Sequence, residues 1–244
     1  MEDLSPIFEY YEELFPVLPQ QKEFFFDLVD SSVIPQKVLS IGCGTGNFEH
    51  ILSKHKCDVT GIDEYQEFLE AASRRRRIPG VNIRFFQMTT LEMARFLGSG
   101  FYTILLCLNN KIAKIRDEIL MRKFFVDCKT LLAPGGNFIL QLPNYYLYKD
   151  KNVAHLPPVQ SIRSSLHTKI QTAPDGQKLL FQQVEAGNGK KFTIVDREPI
   201  ILLLEEDINR LAMEAGFNNV EFFSNYNKDS FDKENSKNLI CKIS

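Results

Sequence analysis
Apolar and polar positions change their period several times along the chain, and each change marks an element. Residues 7–29 (IFEYYEELFPVLPQQKEFFFDLV) carry apolar side chains at helical spacing, broken near Pro16 and Pro19, which predicts two helices. KVLSIG (37–42) is a short strand-like run, and a helical pattern follows from Asn47 to about His55. CDVTGID (57–63) predicts a second strand, and residues 65–77 predict a helix that Pro79-Gly80 stops. VNIRFF (81–86), FYTILLCL (101–108) and NFILQL (137–142) predict further strands. An amphipathic helix over 116–132, ended by Pro134-Gly135-Gly136, separates the last two. The 101–108 run is apolar along nearly its whole length, as expected of a strand covered on both faces. Strands alternating with helices predict right-handed crossovers and a parallel sheet with helices on both sides.

After Pro143 the rhythm becomes that of an antiparallel meander. SIRSSLHTKI (161–170) alternates, with Ile162, Leu166 and Ile170 expected on one face, and APDG (173–176) reads as a turn. QKLLFQQVE (177–185) and KFTIVD (191–196) flank Asn188-Gly189, a signal for a two-residue hairpin, so about three strands are expected here. LEEDINRLAMEAGF (204–217) returns to helical spacing and stops at Gly216. NVEFF (219–223) and NLICKI (238–243) read as a final pair of strands, a hairpin at the sheet edge.

Composition narrows the function classes. The 244 residues are 44% apolar, enough for a sizeable core, and the formal net charge of −2 argues against a general polyanion binder. No apolar run approaches the roughly 18 residues of a membrane span. The acidic N-terminus, MEDLSPIFEYYEELFP, lacks the cationic start of a secretory signal. The five cysteines are odd in number and scattered among apolar runs, which suggests reduced core thiols and a cytoplasmic protein. With no CxxC or HExxH and only four histidines, no metal site is expected.

The chemistry gathers at Ile41-Gly42-Cys43-Gly44-Thr45-Gly46, which follows the first strand at the end where open α/β sheets bind ligands. Glycine there lets a ligand approach the backbone and permits a left-handed turn, and the helix beginning at Asn47 presents free N–H groups. The spacing is GxGxG, neither the GxGxxG of a nicotinamide site nor the GxxxxGK[ST] of a triphosphate site. Asp63 ends the second strand beside this loop, where a carboxylate can accept from both hydroxyls of a ribose. Loop and acid together suggest an adenosine-type ligand without phosphates.

VLSIGCGTGNFE, with GID downstream, resembles the class I S-adenosylmethionine-dependent methyltransferases. FYTILLCLNNKIAKI is similar to the fourth-strand segment of their small-molecule N-methyltransferase branch, which includes the glycine and sarcosine methyltransferases. LLAPGGNFILQLPNY and the LEEDINRLAMEAGF helix are similar to later segments of the superfamily, so the resemblance covers most of the chain. It implies a seven-stranded Rossmann-like α/β sheet with helices on both faces and an inserted antiparallel β lid. The expected organisation is an N-terminal helical cap (1–34), a cofactor-binding core (35–142), a β insertion over the substrate site (143–203) and a completion of the core (204–244). It further implies S-adenosylmethionine as cofactor, S-adenosylhomocysteine as product, and methyl transfer to nitrogen or oxygen of a small-molecule acceptor. The cofactor residues so implied are Tyr11, Lys22, Gly42, Cys43, Gly44, Gly46, Asp63, Glu64, Gln87, Met88, Leu106, Cys107 and Leu108. Asn109, Tyr145, Tyr146, Arg163 and Arg197 are the candidates for holding the acceptor.

Departures from the pattern bear on affinity. Ser40 stands where the family usually has an acid, Gln87-Met88 replaces Gly-Asp, and Asn109-Asn110 replaces Gly-Asn. Lys22 has two readings, a partner of the cofactor carboxylate helped by Tyr11 or a solvated helix residue. Cys43 and Cys107 read as small core residues, Phe24, Phe25 and Phe26 as packing, and Arg74–Arg77 as a solvated helix end. No residue stands out as a catalytic base; His155, His167 and Tyr145 are the nearest candidates. Two competing readings are a non-catalytic binding protein on the same scaffold, favoured by Ser40 and Gln87-Met88, and an RNA or protein methyltransferase, with Arg74–Arg77 as the segment that would reach RNA. The expected partner is a small molecule, with no membrane and no nucleic acid, and the expected state is a monomer or homodimer.

Overall fold
The structure is a computed structural model and describes residues 5–29, 35–76 and 78–244. Arg77 and parts of the N-terminal cap therefore lie outside the described residues. Two helices, α1 (Ser5–Leu14) and α2 (Pro19–Leu28), precede the core, and Pro19 sits in the first turn of α2, where its missing N–H costs nothing. The core runs β1 (Gln36–Ile41), α3 (Asn47–Lys54), β2 (Cys57–Asp63), α4 (Gln66–Arg76), β3 (Asn82–Gln87), α5 (Met93–Phe96), β4 (Tyr102–Cys107), α6 (Glu118–Leu131) and β5 (Leu132–Pro143). The insertion contributes β6 (Val153–His155), β7 (Val159–Gln160), β8 (Ser164–Thr172), β9 (Lys178–Ala186) and β10 (Lys191–Pro199). The chain ends with α7 (Glu205–Glu214), β11 (Val220–Phe223) and β12 (Asn238–Ile243).

One sheet has seven strands in the order β11-β12-β5-β4-β1-β2-β3. Strands β3, β2, β1, β4 and β5 pair in parallel, whereas β12 runs antiparallel to both β5 and β11, forming the expected edge hairpin. The fold class is the expected Rossmann-like α/β sheet with an added antiparallel layer. Strand order reverses direction at β1, because the chain steps outward to β2 and β3 and then returns to place β4 on its other side. Ligands gather at such a reversal, since the loops leaving the two central strands diverge and open a crevice. Both faces are covered, and Val38, Leu39, Leu105 and Leu106 in the central strands are fully buried. Phe124 and Phe125 of α6 pack edge-on against Phe138 of β5 under the sheet.

The second sheet, β10-β9-β8-β6 with β7 pairing β8, holds five strands where the alternation suggests about three. The missed strands are β6 and β7, too short to show a period. Two local expectations need correction. Ile162 is fully exposed and precedes β8, so only Leu166 and Ile170 of the expected face are buried. The hairpin at Asn188-Gly189 has a three-residue loop: Ala186 N–H donates to Lys190 O (2.9 Å), and Gly189 takes the left-handed conformation (φ +79). The helix expected over 116–132 ends at Leu131, and the Pro134-Gly135-Gly136 segment already belongs to β5.

Helix α1 joins the two sheets. Ile7, Tyr11 and Leu14 cluster with Phe68 of α4 and with Leu166, Val184 and Ile194 of the second sheet. Charges outside this apolar seam set its register: Arg163 of the lid pairs with Glu9 and Glu13, and Arg76 of α4 pairs with Glu12 (2.5 Å). The exposed Arg163 pairs contribute at most about 1 kcal/mol each and Arg76–Glu12 is partly buried, so the apolar seam carries most of the attachment. Among the described residues no helix is long and apolar enough to cross a membrane. All five cysteines are buried and unpaired with one another.

The aromatic cluster under β5 sets the stability of the core. Phe125→Ala, which empties a fully buried ring position, is expected to destabilise the protein by about 3–5 kcal/mol in urea unfolding, whereas the exposed Ile119→Ala changes stability by less than about 0.5 kcal/mol.

Candidate functional site at the strand reversal
The turn after β1 is built to hold a narrow shape. Gly42 N–H and Cys43 N–H both donate to Ile62 O (2.8 and 3.0 Å), which binds the turn to β2. Gly42 and Gly44 lie in the left-handed region (φ +75 and +55). A Cβ on Gly44 would stand 2.5 Å from the Tyr11 hydroxyl, and one on Gly42 would stand 2.7 Å from the Lys111 side chain. Only glycine meets both the backbone angle and the close approach. Gly46 is packed instead against Phe85 of β3, so its role is to bring α3 onto the sheet.

Asp63 ends β2 directly beside this turn and is almost completely buried. Its Oδ2 accepts from Gly44 N–H (2.9 Å) and its Oδ1 from Tyr65 N–H (3.2 Å). Lys111 Nζ stands 3.9 Å from the same Oδ2. The lysine reaches there from the turn after β4, where Asn109 and Asn110 are both left-handed (φ +53 and +58). Two consecutive non-glycine residues in that region are strained, and Gln141 holds them: its side-chain oxygen accepts from Asn109 N–H (2.6 Å) and its carbonyl from Asn110 N–H (3.0 Å). The Lys111 ammonium also lies over the rings of Tyr11 (5.2 Å) and Phe68 (5.7 Å). Burial works against its charge, but Tyr11 and the Asp63 carboxylate outweigh that, so its pKa is pushed up. Burial likewise pushes the Tyr11 phenol up, against the opposing pull of the Lys111 ammonium.

A second buried acid lies on the far side of the turn. Glu49, in the first turn of α3, is 4% exposed, and its Oε1 accepts from Ser40 Oγ at 2.6 Å. Burial pushes its pKa to about 7, although the Ser40 hydroxyl works in the opposite direction. Burial also pushes the Cys43 thiol well up, so it stays protonated and unreactive.

Three spaces that share lining residues surround these groups. One of about 50 Å³ lies beside Ser40, Gly42, Glu49, Tyr11, Gln21 and Leu108. One of about 20 Å³ lies beside Asp63, Glu64, Met88, Thr90 and Lys111. The third, about 320 Å³, opens between the β4 turn, α1 and the inner face of the lid, with Asn109, Asn110, Lys114 and Glu198 on its wall. Tyr11 borders the first and third, Lys111 the second and third, and Gly42 the first and second. A ligand running along the glycine turn would join all three, with its middle where the Lys111 and Tyr11 side chains now lie.

Several candidates named from the sequence fall on these walls: Tyr11, Gly42, Cys43, Asp63, Glu64, Met88, Leu108 and Asn109. Others do not. Leu106 and Cys107 are buried inside β4, and the Gln87 amide donates to the Glu64 carbonyl (3.1 Å) from the far side of that residue. Lys22 borders none of the three spaces, and its neighbour Gln21 points inward instead. Tyr145 lies beneath the site, where its hydroxyl accepts from Asn110 Nδ2 (2.8 Å). Tyr146 bonds the Glu206 carboxylate at the surface. Arg163 is committed to Glu9 and Glu13, and Arg197 sits exposed at a left-handed position within an irregular stretch of β10. His155 and His167 border a separate groove on the lid. Arg75 and Arg76 pair with Glu12 of α1 rather than standing free in solvent.

The groups that sequence reasoning passed over are Glu49, Lys111 and Lys114. Lys114 bonds Glu64 (3.3 Å) and lies 3.9 Å over the Tyr65 ring; burial and the neighbouring Lys111 ammonium hold its pKa down. The signal for Glu49 was its place one turn into the helix that follows the glycines, and for the lysines their place after Asn109-Asn110.

The residues suit an adenosyl amino-acid ligand in kind: a glycine cradle that a Cβ would fill, a buried acid at its edge, and an apolar side bordered by Met88. Residues 38–136 match the family model described as a methyltransferase domain. A ubiquinone biosynthesis O-methyltransferase of Erwinia tasmaniensis is 32% identical over 110 residues, 45% of this chain and 43% of that protein. Its counterpart in Vibrio parahaemolyticus is 25% identical over 134 residues, 55% of this chain and 54% of that one. The match thus spans about half the length of these curated relatives. Among solved structures, the CcbJ methyltransferase of Streptomyces caelestis superposes with a TM-score of 0.78 at 16% identity, covering 99% of this chain and 96% of that one. An S-adenosylmethionine-dependent methyltransferase of Clostridium acetobutylicum gives a TM-score of 0.75 at 17% identity, covering 97% and 96%. Residues 38–136 thus match a methyltransferase domain, and the chain shares the fold of these methyltransferase structures.

Proposed function
We propose that this protein transfers a methyl group from S-adenosylmethionine to nitrogen or oxygen of a small-molecule acceptor held under the lid. The observation that carries the reading is the buried Asp63 carboxylate bonded to Gly44 N–H at the edge of a glycine cradle that admits no side chain. The bound cofactor supplies an electrophilic methyl on a sulfonium, so the protein's task is placement. Correct placement of two reactants is worth about 7–11 kcal/mol of barrier, which is why no catalytic triad is required. In this reading Asp63 accepts from the ribose hydroxyls, Met88 borders the base, and the 320 Å³ space takes the acceptor.

Asn110 supports a protic acceptor. Its Nδ2 is used by Tyr145, while its Oδ1 is buried with no hydrogen-bond partner, and the residue borders the acceptor space. An unmet buried acceptor is costly, and an amine or hydroxyl on the ligand would meet it. Two similar proteins carry out such chemistry by name, a ubiquinone biosynthesis O-methyltransferase and, in fold, a sugar N-methyltransferase. Lys114 and Glu198 on the same wall give the acceptor space charges of both signs.

A second reading, a binding protein without transfer activity, draws on the Lys111 ammonium, which lies against the carboxylate that the ribose would need. Titration and turnover separate the two. Calorimetry with S-adenosylhomocysteine is expected to give saturable binding at micromolar concentration, and an acceptor panel with S-adenosylmethionine to give methylated product; binding without turnover on any acceptor favours the second reading.

Two variants test the cradle. Gly44→Val, whose first side-chain atom would meet Tyr11 at 2.5 Å, is expected to abolish S-adenosylhomocysteine binding in a protein whose circular dichroism still reports a fold. Asp63→Asn removes the charge from the acceptor at the strand end and is expected to weaken binding by roughly 10- to 100-fold, the worth of charge-assisted hydrogen bonds. Unchanged affinity in either variant would move the cofactor away from this turn.

A further inference from the structure
The two buried acids of the site are not equally provided for. Asp63 has two backbone N–H donors and a lysine. Glu49 has the Ser40 hydroxyl and backbone support, and among the described residues it forms no ion pair. It nevertheless faces the 50 Å³ space at the end of the glycine turn opposite Asp63. A carboxylate taken out of water without a cation is costly, and proteins normally neutralise or pair it. Here the cost is held beside a space that shares Gly42 and Tyr11 with its two neighbours.

The chemistry of the ligand explains the arrangement. If the adenosine end lies at Asp63 and the sulfonium faces the acceptor space, the remaining part of the cofactor is its amino-acid end. That end carries an ammonium, and the space left for it is the one that Ser40 and Glu49 border. The family acid expected at position 40 is absent from this chain. We propose that Glu49, oriented by the Ser40 hydroxyl, binds the α-ammonium of S-adenosylmethionine, so that the acid has moved from the end of the first strand to the first turn of the following helix. This rests on the function proposed above and assigns the residue that reads the amino-acid end.

Ionisation follows from the same placement. The groups facing Glu49 are Ser40 of β1, Cys43 of the turn, Tyr11 of α1, Asp63 of β2 and Lys111 of the β4 turn. Burial dominates, Asp63 adds to it, and Ser40 and Lys111 oppose it, which leaves the acid titrating at about 7. Cofactor binding needs the carboxylate, so affinity weakens as pH falls through that value, by about tenfold between pH 8 and pH 6. Stability of the free protein runs the other way. A carboxyl whose pKa is raised from its unfolded value of about 4.3 to about 7 favours the folded state in its protonated form. That contribution is present below about pH 4.3 and is lost as pH rises through 7.

The experiment compares wild type and Glu49→Gln by calorimetry with two probes, S-adenosylhomocysteine and 5′-methylthioadenosine, which lacks the amino-acid end. Expected for Glu49→Gln is at least a tenfold rise in Kd for S-adenosylhomocysteine, with methylthioadenosine changed less than twofold. The pH dependence of the first probe should flatten. The free variant should melt a few degrees higher than wild type at pH 8, since an uncompensated buried charge is gone. A merely structural Ser40–Glu49 bond predicts the reverse, a lower melting point and equal loss for both probes, and that result overturns the inference. So does unchanged S-adenosylhomocysteine affinity in Glu49→Gln. If wild-type protein binds neither probe, the cofactor reading itself fails and this assignment falls with it; if it binds both, the comparison tests Glu49 alone.

Discussion
The carboxylate at the end of β2 is the constraint on which the site depends. Asp63 can reach Gly44 only because β1 and β2 run in parallel with Ile41 opposite Ile62, so the residue after each partner stands at the same level. A turn rich in glycine would otherwise be the least ordered part of the chain, since glycine loses the most freedom on folding. Three N–H groups of the turn remove that freedom: two donate to Ile62 O and one to Asp63. The acid therefore shapes the cradle before it meets any ligand. A carboxylate has about four lone-pair sites, and two backbone donors leave room for a further pair of hydroxyls or for the Lys111 ammonium.

Electrostatics divides the cleft into unlike halves. On the Asp63 side a buried acid is balanced by Lys111, whose stem is shielded by Tyr11 and Phe68. On the Glu49 side the acid is hydrogen-bonded by neutral donors and forms no ion pair among the described residues, with Lys111 acting on it only at a distance. The difference follows from where the two chains turn: Lys111 leaves the end of β4, which pairs with β1 on the side away from β2, and its long stem crosses the turn toward Asp63. A cationic ligand entering this cleft meets one acid already paired and one not, and its own charge decides which it displaces and which it completes.

Periods of two and 3.6 made most of the framework legible. The parallel core strands, the switch to a meander after Pro143 and the edge hairpin of β11 and β12 all follow from runs long enough to show a repeat. Strands β6 and β7 did not, because two or three residues have no period. Glycine spacing and Asp63 marked the centre of the site. Arg163, Arg75 and Arg76 looked like ligand contacts or solvated charges, yet their partners are Glu9, Glu12 and Glu13 on α1, distant in sequence and invisible to local pattern. Glu49 and Lys111 were hidden for the same reason. Each sits at an ordinary helical or turn position, and only the closeness of β1, β2 and β4 gives it a role.

What must move for a ligand to lie along the turn also follows from packing. Tyr11 is anchored on α1, whose Ile7 and Leu14 are buried against the lid and α4, so displacing its ring disturbs a shared apolar seam. Lys111 has no such attachment: its backbone is fixed by the β4 turn, but its side chain is held by a 3.9 Å ion pair and ring faces. Rotating a lysine about its own bonds takes picoseconds to nanoseconds when the head group is free, whereas repacking a helix is slower by orders of magnitude. Of the two, Lys111 is the group that can leave the turn without repacking a helix. The ammonium also has Glu64 nearby, already bonded to Lys114, on the wall shared by the 20 and 320 Å³ spaces. In the proposed function, a lysine displaced from Asp63 by a ribose would carry its charge toward the 320 Å³ space, where it would repel a cationic amine and favour a neutral or anionic acceptor, the protonation state that attack on a sulfonium requires.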